Sequence, residues 1–293
     1  MDLAGLPCTP QLPVLFVGHG SPLNIIQPNR FRAGWRDWGQ AFGAQGRWPR
    51  PALILCISAH WLTEGWWLTG AAQPRTIHDF GGFPQALYEI QYPAPGAPGL
   101  ARQLAAALRQ PASGAPLGVD AGDWGLDHGC WGVLQPMFPQ ADIPVLQLSM
   151  DYGRPPAEHL ELGRQLRALR GRGVLIVASG NIVHNLRTMR RELPDDQAYD
   201  WAVAFDAAVA ERIAAGRLDE LADFHQWGGE AARWAHPTWD HFLPLLYAAG
   251  AAEAGEAVQF FNEGFQAGSV SMRSVAWVGA DSRHHVTGDL HDH

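Results

Sequence analysis

The sequence predicts an α/β fold: a single domain with a mixed, mainly parallel central sheet flanked by helices on both faces. Three observations predict it. Short apolar runs bounded by Gly and Ser open the stretches Val14–Pro22, Leu53–Trp61 and Val174–Leu186, as expected of strands covered on both faces. The amphipathic stretch Glu158–Arg170 separates the run Pro144–Met150 from Val174, which makes a β-α-β unit and implies parallel strands. Each of the first three runs is followed by a histidine, at His19, His60 and His184. Ligands of open α/β sheets bind beyond the carboxyl ends of the strands, so three imidazoles leaving three strands can converge on one metal.

The remaining elements follow in order. Phe31, Trp35, Trp38 and Phe42 recur at helical spacing in Arg30–Gly43, an aromatic stripe read as core. Trp66–Thr69 reads as a short, antiparallel strand. A long Gly/Pro-rich loop, Ile77–Gly96, follows, and such loops often line sites. Leu100–Arg109 reads as a helix, Trp124–Trp131 as a turn holding His128, and Val133–Met137 as a short helix. Ala198–Ala215 is a second long helix. Asp240–Ala249 is a last one that Pro244 kinks or divides, and Ser269–Trp277 is a last strand. No repeat or linker divides the chain, so residues 1–281 are taken as one catalytic domain and the His-rich segment 282–293 as a disordered tail.

Composition narrows the function. A chain of 293 residues with 47% hydrophobic and 17% charged residues builds a sizeable core. A formal charge of -8 lacks the basic footprint of a nucleic-acid binder. The three cysteines, Cys8, Cys56 and Cys130, form no CxxC pair, which argues against a zinc ribbon or disulfide framework and for a reducing, cytoplasmic setting. No apolar run approaches the roughly 18 to 20 residues of a membrane span, and the N-terminus lacks the pattern of a signal peptide.

Six motifs occur in order: Gly18-His19-Gly20-Ser21-Pro22, Ser58-Ala59-His60-Trp61, His78-Asp79-Phe80-Gly81-Gly82-Phe83-Pro84, Asp127-His128-Gly129, Gly180-Asn181-Ile182-Val183-His184-Asn185-Leu186 and His236-Pro237. Together they resemble the class III extradiol ring-cleavage dioxygenases, in particular the DOPA 4,5-extradiol dioxygenase-like branch, from about residue 14 to residue 277. The resemblance implies extradiol cleavage of a catechol, DOPA-like, by O2 at a non-haem Fe(II), with Zn(II) as an alternative occupant. By position it implies His19, His60 and His236 as metal ligands, an all-histidine set where protocatechuate-type relatives place a glutamate third. It also implies His184 as the acid–base residue, able to approach the metal as a fourth ligand, and His128 as a hydrogen-bond donor to bound oxygen. Ser21, His78 and Asn181 are expected to bind or orient substrate.

Each residue also has a plainer reading. His78-Asp79 makes an Asx-type turn, and His128 caps a helix. His241, after an Asp at a helix start, is structural, and His159 and His225 are solvated or interfacial. Two other functions share the pattern: a zinc-dependent hydrolase on the same histidines, and a non-catalytic Memo-like binding protein. The expected partners are a small catechol and O2, without nucleic acid or membrane, acting on a monomer or small homo-oligomer.

Overall fold

The computed structural model describes residues 5–279; the His-rich segment 282–293 lies outside them. Eight strands form the central sheet: β1 (Val14–Gly18), β2 (Leu53–Thr63), β3 (Trp67–Thr69), β4 (Gly118–Asp120), β5 (Val145–Asp151), β6 (Val174–Gly180), β7 (Ala257–Phe261) and β10 (Ser274–Val278). Two-residue strands β8 (Phe265–Gln266) and β9 (Val270–Ser271) pair separately. The order is β4-β3-β5-β2-β6-β1-β10-β7. The four central strands, β5, β2, β6 and β1, run parallel, while β3 pairs antiparallel with β5 and β10 antiparallel with β1 and β7. This is the expected α/β domain with a mixed, mainly parallel sheet.

Alternation along the strands divides the core between the two faces. Val14 and Phe16 of β1, Leu53, Leu55 and Ile57 of β2, and Val174 and Ile176 of β6 pack on one side. They meet helices α3 (Pro98–Ala107), α5 (Pro156–Leu166), α6 (Asp200–Ala214) and α9 (Leu243–Ala251). Leu15, Val17, Ile54, Cys56, Leu175 and Val177 point the other way. There they meet α1 (Arg30–Gln40), whose Phe31 and Trp35 are the buried part of the aromatic stripe, and α4 (His128–Met137). Short helices α2 (Gln85–Tyr88), α7 (Phe224–Trp227) and α8 (Gly229–Ala235) complete the connections. All three cysteines are free, with Cys56 and Cys130 buried. Among the described residues, no helix is long and apolar enough to cross a membrane.

Several boundaries differ from expectation for physical reasons. Helix α4 starts at His128, earlier than Val133, because the Asp127 side chain caps it by accepting from Cys130 N. Pro244 sits in the first turn of α9, where a missing N–H costs nothing, so it opens the helix rather than kinking it. Strand β2 runs three residues past His60, and its register with β5 shifts between Ile57 and Leu62, so His60 leaves from within a bulged strand.

His159, expected to be solvated, is fully buried. Trp66 Nε1 donates to the Tyr247 hydroxyl at 2.7 Å, and that hydroxyl stands 2.7 Å from His159 Nδ1. Burial pushes the His159 pKa down to about 4. An unfolded chain takes up this proton near pH 6.5 but the folded chain only near 4, so the unfolded state binds more protons between these values and stability rises with pH there. The contribution is complete above pH 6.5 and is lost as pH falls to about 4, a difference of about 3 kcal/mol. Urea unfolding across this range is expected to lose stability less steeply in His159→Gln than in the unsubstituted chain. Equal slopes would contradict this account.

Candidate metal centre

The carboxyl ends of β2, β6 and β1, neighbours in the sheet, supply three of the imidazoles. His19 follows β1 directly, and its backbone N–H donates to Gly180 O at the end of β6. At the same strand end, Asn181 N donates to His241 O at 2.9 Å, which brings in the segment ahead of α9. His184 lies four residues past β6, with its N–H on Ala235 O at 3.0 Å. His128 arrives as the first residue of α4. Glycines permit these approaches. A Cβ on Gly180 would strike His241 O, and one on Gly129 would stand 2.5 Å from Ser58 Oγ and 3.1 Å from His60 Nδ1.

Three rings face one another in a nearly symmetric way. The centroids of His19 and His60 are 4.9 Å apart at 62°, those of His19 and His241 5.2 Å at 58°, and those of His60 and His241 5.2 Å at 62°. Two further rings flank this trio by stacking: His128 on His60 at 4.1 Å, and His184 on His241 at 3.5 Å and 4°. His19, His60 and His128 each offer a ring nitrogen within 4.8 Å of the others, and His60 Nε2 is 3.2 Å from His241 Nε2.

Oxygen atoms lie beside Nδ1 of four of these rings, hydrogen-bonded in His19, His128 and His241 and without a hydrogen bond in His60. His19 Nδ1 is 3.0 Å from Ser179 Oγ, and His128 Nδ1 2.9 Å from Asp79 Oδ1. His60 Nδ1 lies 3.2 Å from Asp79 Oδ2 and 3.6 Å from Asp127 Oδ1, and His241 Nδ1 contacts Asp240 Oδ2. Asp127 is fully buried and held in turn by Ser58 Oγ, which donates at 2.6 Å, and by Gln147 Nε2. Pairing Nδ1 with an oxygen leaves Nε2 as the free lone pair, the usual support for a metal-ligating histidine. Two such lone pairs 3.2 Å apart repel unless a proton or cation lies between them. These residues therefore fit a divalent metal.

The electrostatics agree. Burial lowers the His60 pKa, but Asp127 and Asp79 outweigh it and raise the value to about 9, so the site favours positive charge at His60. Burial, then His60, holds His19 well below 6.5. Burial, then His241, does the same for His184, and burial with His60 lowers His128. Burial also lowers His241, against its Asp240 contact. Against burial, hydrogen bonds from His128 and His60 keep Asp79 ionised far below the usual carboxylate range.

The structure brings together His19, His60, His128 and His184 as expected, but not His236. His236 Nε2 donates to Ile182 O at 2.6 Å, and its ring packs among Phe205, Phe224 and Phe242. Its place in the cluster is taken by His241, which the sequence reading set aside as structural. The carboxylate of Asp240 beside it, read as a helix-start feature, is the signal that was available. Ser21 lines a small cavity with His19 and His128, while its hydroxyl caps Leu23 N. His78 donates from Nε2 to Ile90 O and packs on Trp131, and so holds its loop rather than facing the imidazoles. Asn181 is fully buried and donates to Ser271 O.

A family model for the catalytic LigB subunit of aromatic ring-opening dioxygenase matches residues 13–273. The chain belongs to the LigB family. It is 44% identical over 266 residues to the 4,5-DOPA dioxygenase extradiol of Escherichia coli K12, covering 90% of this chain and 94% of that one. It is 34% identical over 265 residues to the 4,5-DOPA dioxygenase extradiol of Beta vulgaris, covering 88% and 94%. Among solved structures, an uncharacterized Escherichia coli K12 protein superposes with a TM-score of 0.75 at 38% identity, over 92% of this chain and all of that one. The LigB-type protein described here is thus an extradiol ring-opening dioxygenase, built on a cluster of imidazoles at the sheet's carboxyl edge.

Gly129→Ala is expected to destabilise the fold by about 1–3 kcal/mol, because the added methyl must displace Ser58 or His60 from a packed site. Thermal unfolding checks this; an unchanged midpoint would contradict the close approach.

Proposed function

We propose that this LigB-type enzyme cleaves a catechol, DOPA-like in kind, by extradiol insertion of O2, with a non-haem divalent metal held by His19, His60 and His241. The observation that carries the ligand set is the trio of mutually tilted rings, with angles of 58–62° and centroids 4.9–5.2 Å apart. His184 stacks flat on His241 at 4°, whereas His128 leans on His60 at 28° and offers a ring nitrogen within 4.8 Å of His19 and His60, so it borders the same space. This revises the set read from sequence, with His241 in place of His236. The names of the relatives support DOPA as the substrate class. Three protein ligands leave open positions, and Fe(II) bound there supplies Lewis acidity and electron relay to O2.

The chain's own residues supply proton chemistry. His184 is neutral at pH 7 because its burial disfavours the charged form, so it can take a proton from a catechol hydroxyl and later return one. His128 donates its Nδ1 proton to the ionised Asp79. Its Nε2 therefore accepts a hydrogen bond when the ring is neutral, and the donor role expected from sequence requires the imidazolium. Phe80 and Tyr88, packed around His78 beside His128, provide an apolar wall suited to an aromatic ring. Asp79, Asp127 and Asp240 are all engaged with imidazole or hydroxyl groups, which favours proton transfer by His184 over the carboxylate base of a zinc hydrolase.

His241→Ala is expected to abolish stoichiometric Fe(II) or Zn(II) binding, and His236→Gln to retain it; the reverse result would restore the sequence-based set. With DOPA and Fe(II), O2 uptake should match the appearance of a yellow semialdehyde. His184→Ala should lower kcat by about 10²–10⁴-fold. No uptake with any catechol by the iron-loaded protein would overturn the assignment.

A further inference from the structure

Asp79 stands on the loop between β3 and α2, and it touches two imidazoles at once. Its Oδ1 accepts from both the backbone N–H and Nδ1 of His128, each at 2.9 Å, while its Oδ2 faces His60 Nδ1 at 3.2 Å. The loop is itself held in place. Trp131 Nε1 donates to Ile77 O at 2.8 Å, His78 donates to Ile90 O at 3.0 Å, and the Phe80 ring meets the His128 ring edge-to-face at 5.3 Å. Gly82, at a φ of +75° with open space around it, lets the chain turn away just after these contacts.

Asp127 cannot do the same work. It lies farther from His60 Nδ1, at 3.6 Å, and already accepts from Ser58, Cys130 and Gln147. Among the described residues, Asp79 is the carboxylate that meets His128 on that nitrogen.

We infer that Asp79 is a positioning residue for two imidazoles together: its carboxylate keeps the proton of both His60 and His128 on Nδ1, so that Nε2 of His60 faces the metal and Nε2 of His128 faces the substrate. A neutral imidazole carries its proton on one nitrogen only, and an ionised carboxylate accepts but cannot donate. The residue that selects the tautomer therefore decides which nitrogen can act as ligand or acceptor. The His60 contact is longer and less well aligned than the His128 contacts, so the tautomer of His128 depends on Asp79 most directly. This role rests on the metal centre proposed above for its His60 half, whereas the His128 half can be read without metal.

The test is long-range ¹H–¹⁵N spectroscopy of the histidine rings with Zn(II) titration, on the full chain and on Asp79→Ala, Asp79→Asn and Asp79→Glu. In the unsubstituted protein, His128 is expected as the Nδ1–H tautomer, and in Asp79→Ala as the Nε2–H tautomer. Zn(II) affinity is expected to fall about 10–100-fold in both Asp79→Ala and Asp79→Asn. Asp79→Glu should keep the Nδ1–H form and most of the affinity. A substitution that merely loosened the fold would lower the melting temperature without moving the tautomer. That result, or an Asp79→Ala protein with His128 still protonated at Nδ1 and unchanged Zn(II) affinity, would overturn the inference. Should the unsubstituted chain bind no Zn(II) or Fe(II), the proposed metal centre fails, and the metal-free His128 spectrum still decides the role of Asp79.

Discussion

Placing oxygen atoms beside Nδ1 of the clustered rings is the constraint on which this site depends. An imidazole buried without partners costs about 1–3 kcal/mol for each unsatisfied group, and five are gathered here at one sheet edge. Ser179, Asp79 and Asp240 meet that cost on one nitrogen of His19, His128 and His241, while His60 Nδ1 lies beside Asp79 and Asp127 without a hydrogen bond. The carboxylates also bring negative charge close to the imidazoles, which favours a divalent cation among them. Asp127 shows how far this extends into the core: it caps α4, takes a hydrogen bond from Gln147 in β5, and sits beside His60 of β2. One buried side chain thus ties a helix start, two strands and an imidazole together.

The fold explains why the rings come from such distant parts of the chain. β2, β6 and β1 are adjacent and parallel, so their carboxyl ends lie side by side although β6 follows the other two by more than a hundred residues in sequence. Helix starts complete the ring of donors, with His128 opening α4 and His241 just ahead of α9. Backbone hydrogen bonds from His19 to Gly180 and from Asn181 to His241 hold these ends in register. The glycines at 129 and 180 allow backbones and rings to approach where any Cβ would collide.

Much of this was legible in the sequence because it depends on local pattern. The apolar runs of β1, β2 and β6 announce strands, and a histidine after a buried strand falls at the edge where ligands bind. The α/β architecture and three of the five clustered imidazoles follow from that reasoning, and the Asp127-His128-Gly129 motif supplies a fourth. What was not legible depends on direction rather than position. His236 and His241 lie five residues apart on one connection, and only the path of the backbone through Pro237–Asp240 decides that the first ring turns to Ile182 O while the second joins the cluster. Asp79 read as a turn or a substrate contact, because its place beside two imidazoles comes from His60 and His128, which reach it from a different strand and a different helix. His159 looked solvated for the same reason: its partner, the hydroxyl of Tyr247, is contributed by a helix far along the chain.

The central claim is that His19, His60 and His241 form one metal-binding trio, and anomalous diffraction from Zn(II)-loaded crystals at the zinc edge tests it most directly. The account predicts a single strong peak about 2.0–2.1 Å from Nε2 of all three rings. A peak beside His236, or one whose ligands exclude His241, would contradict it.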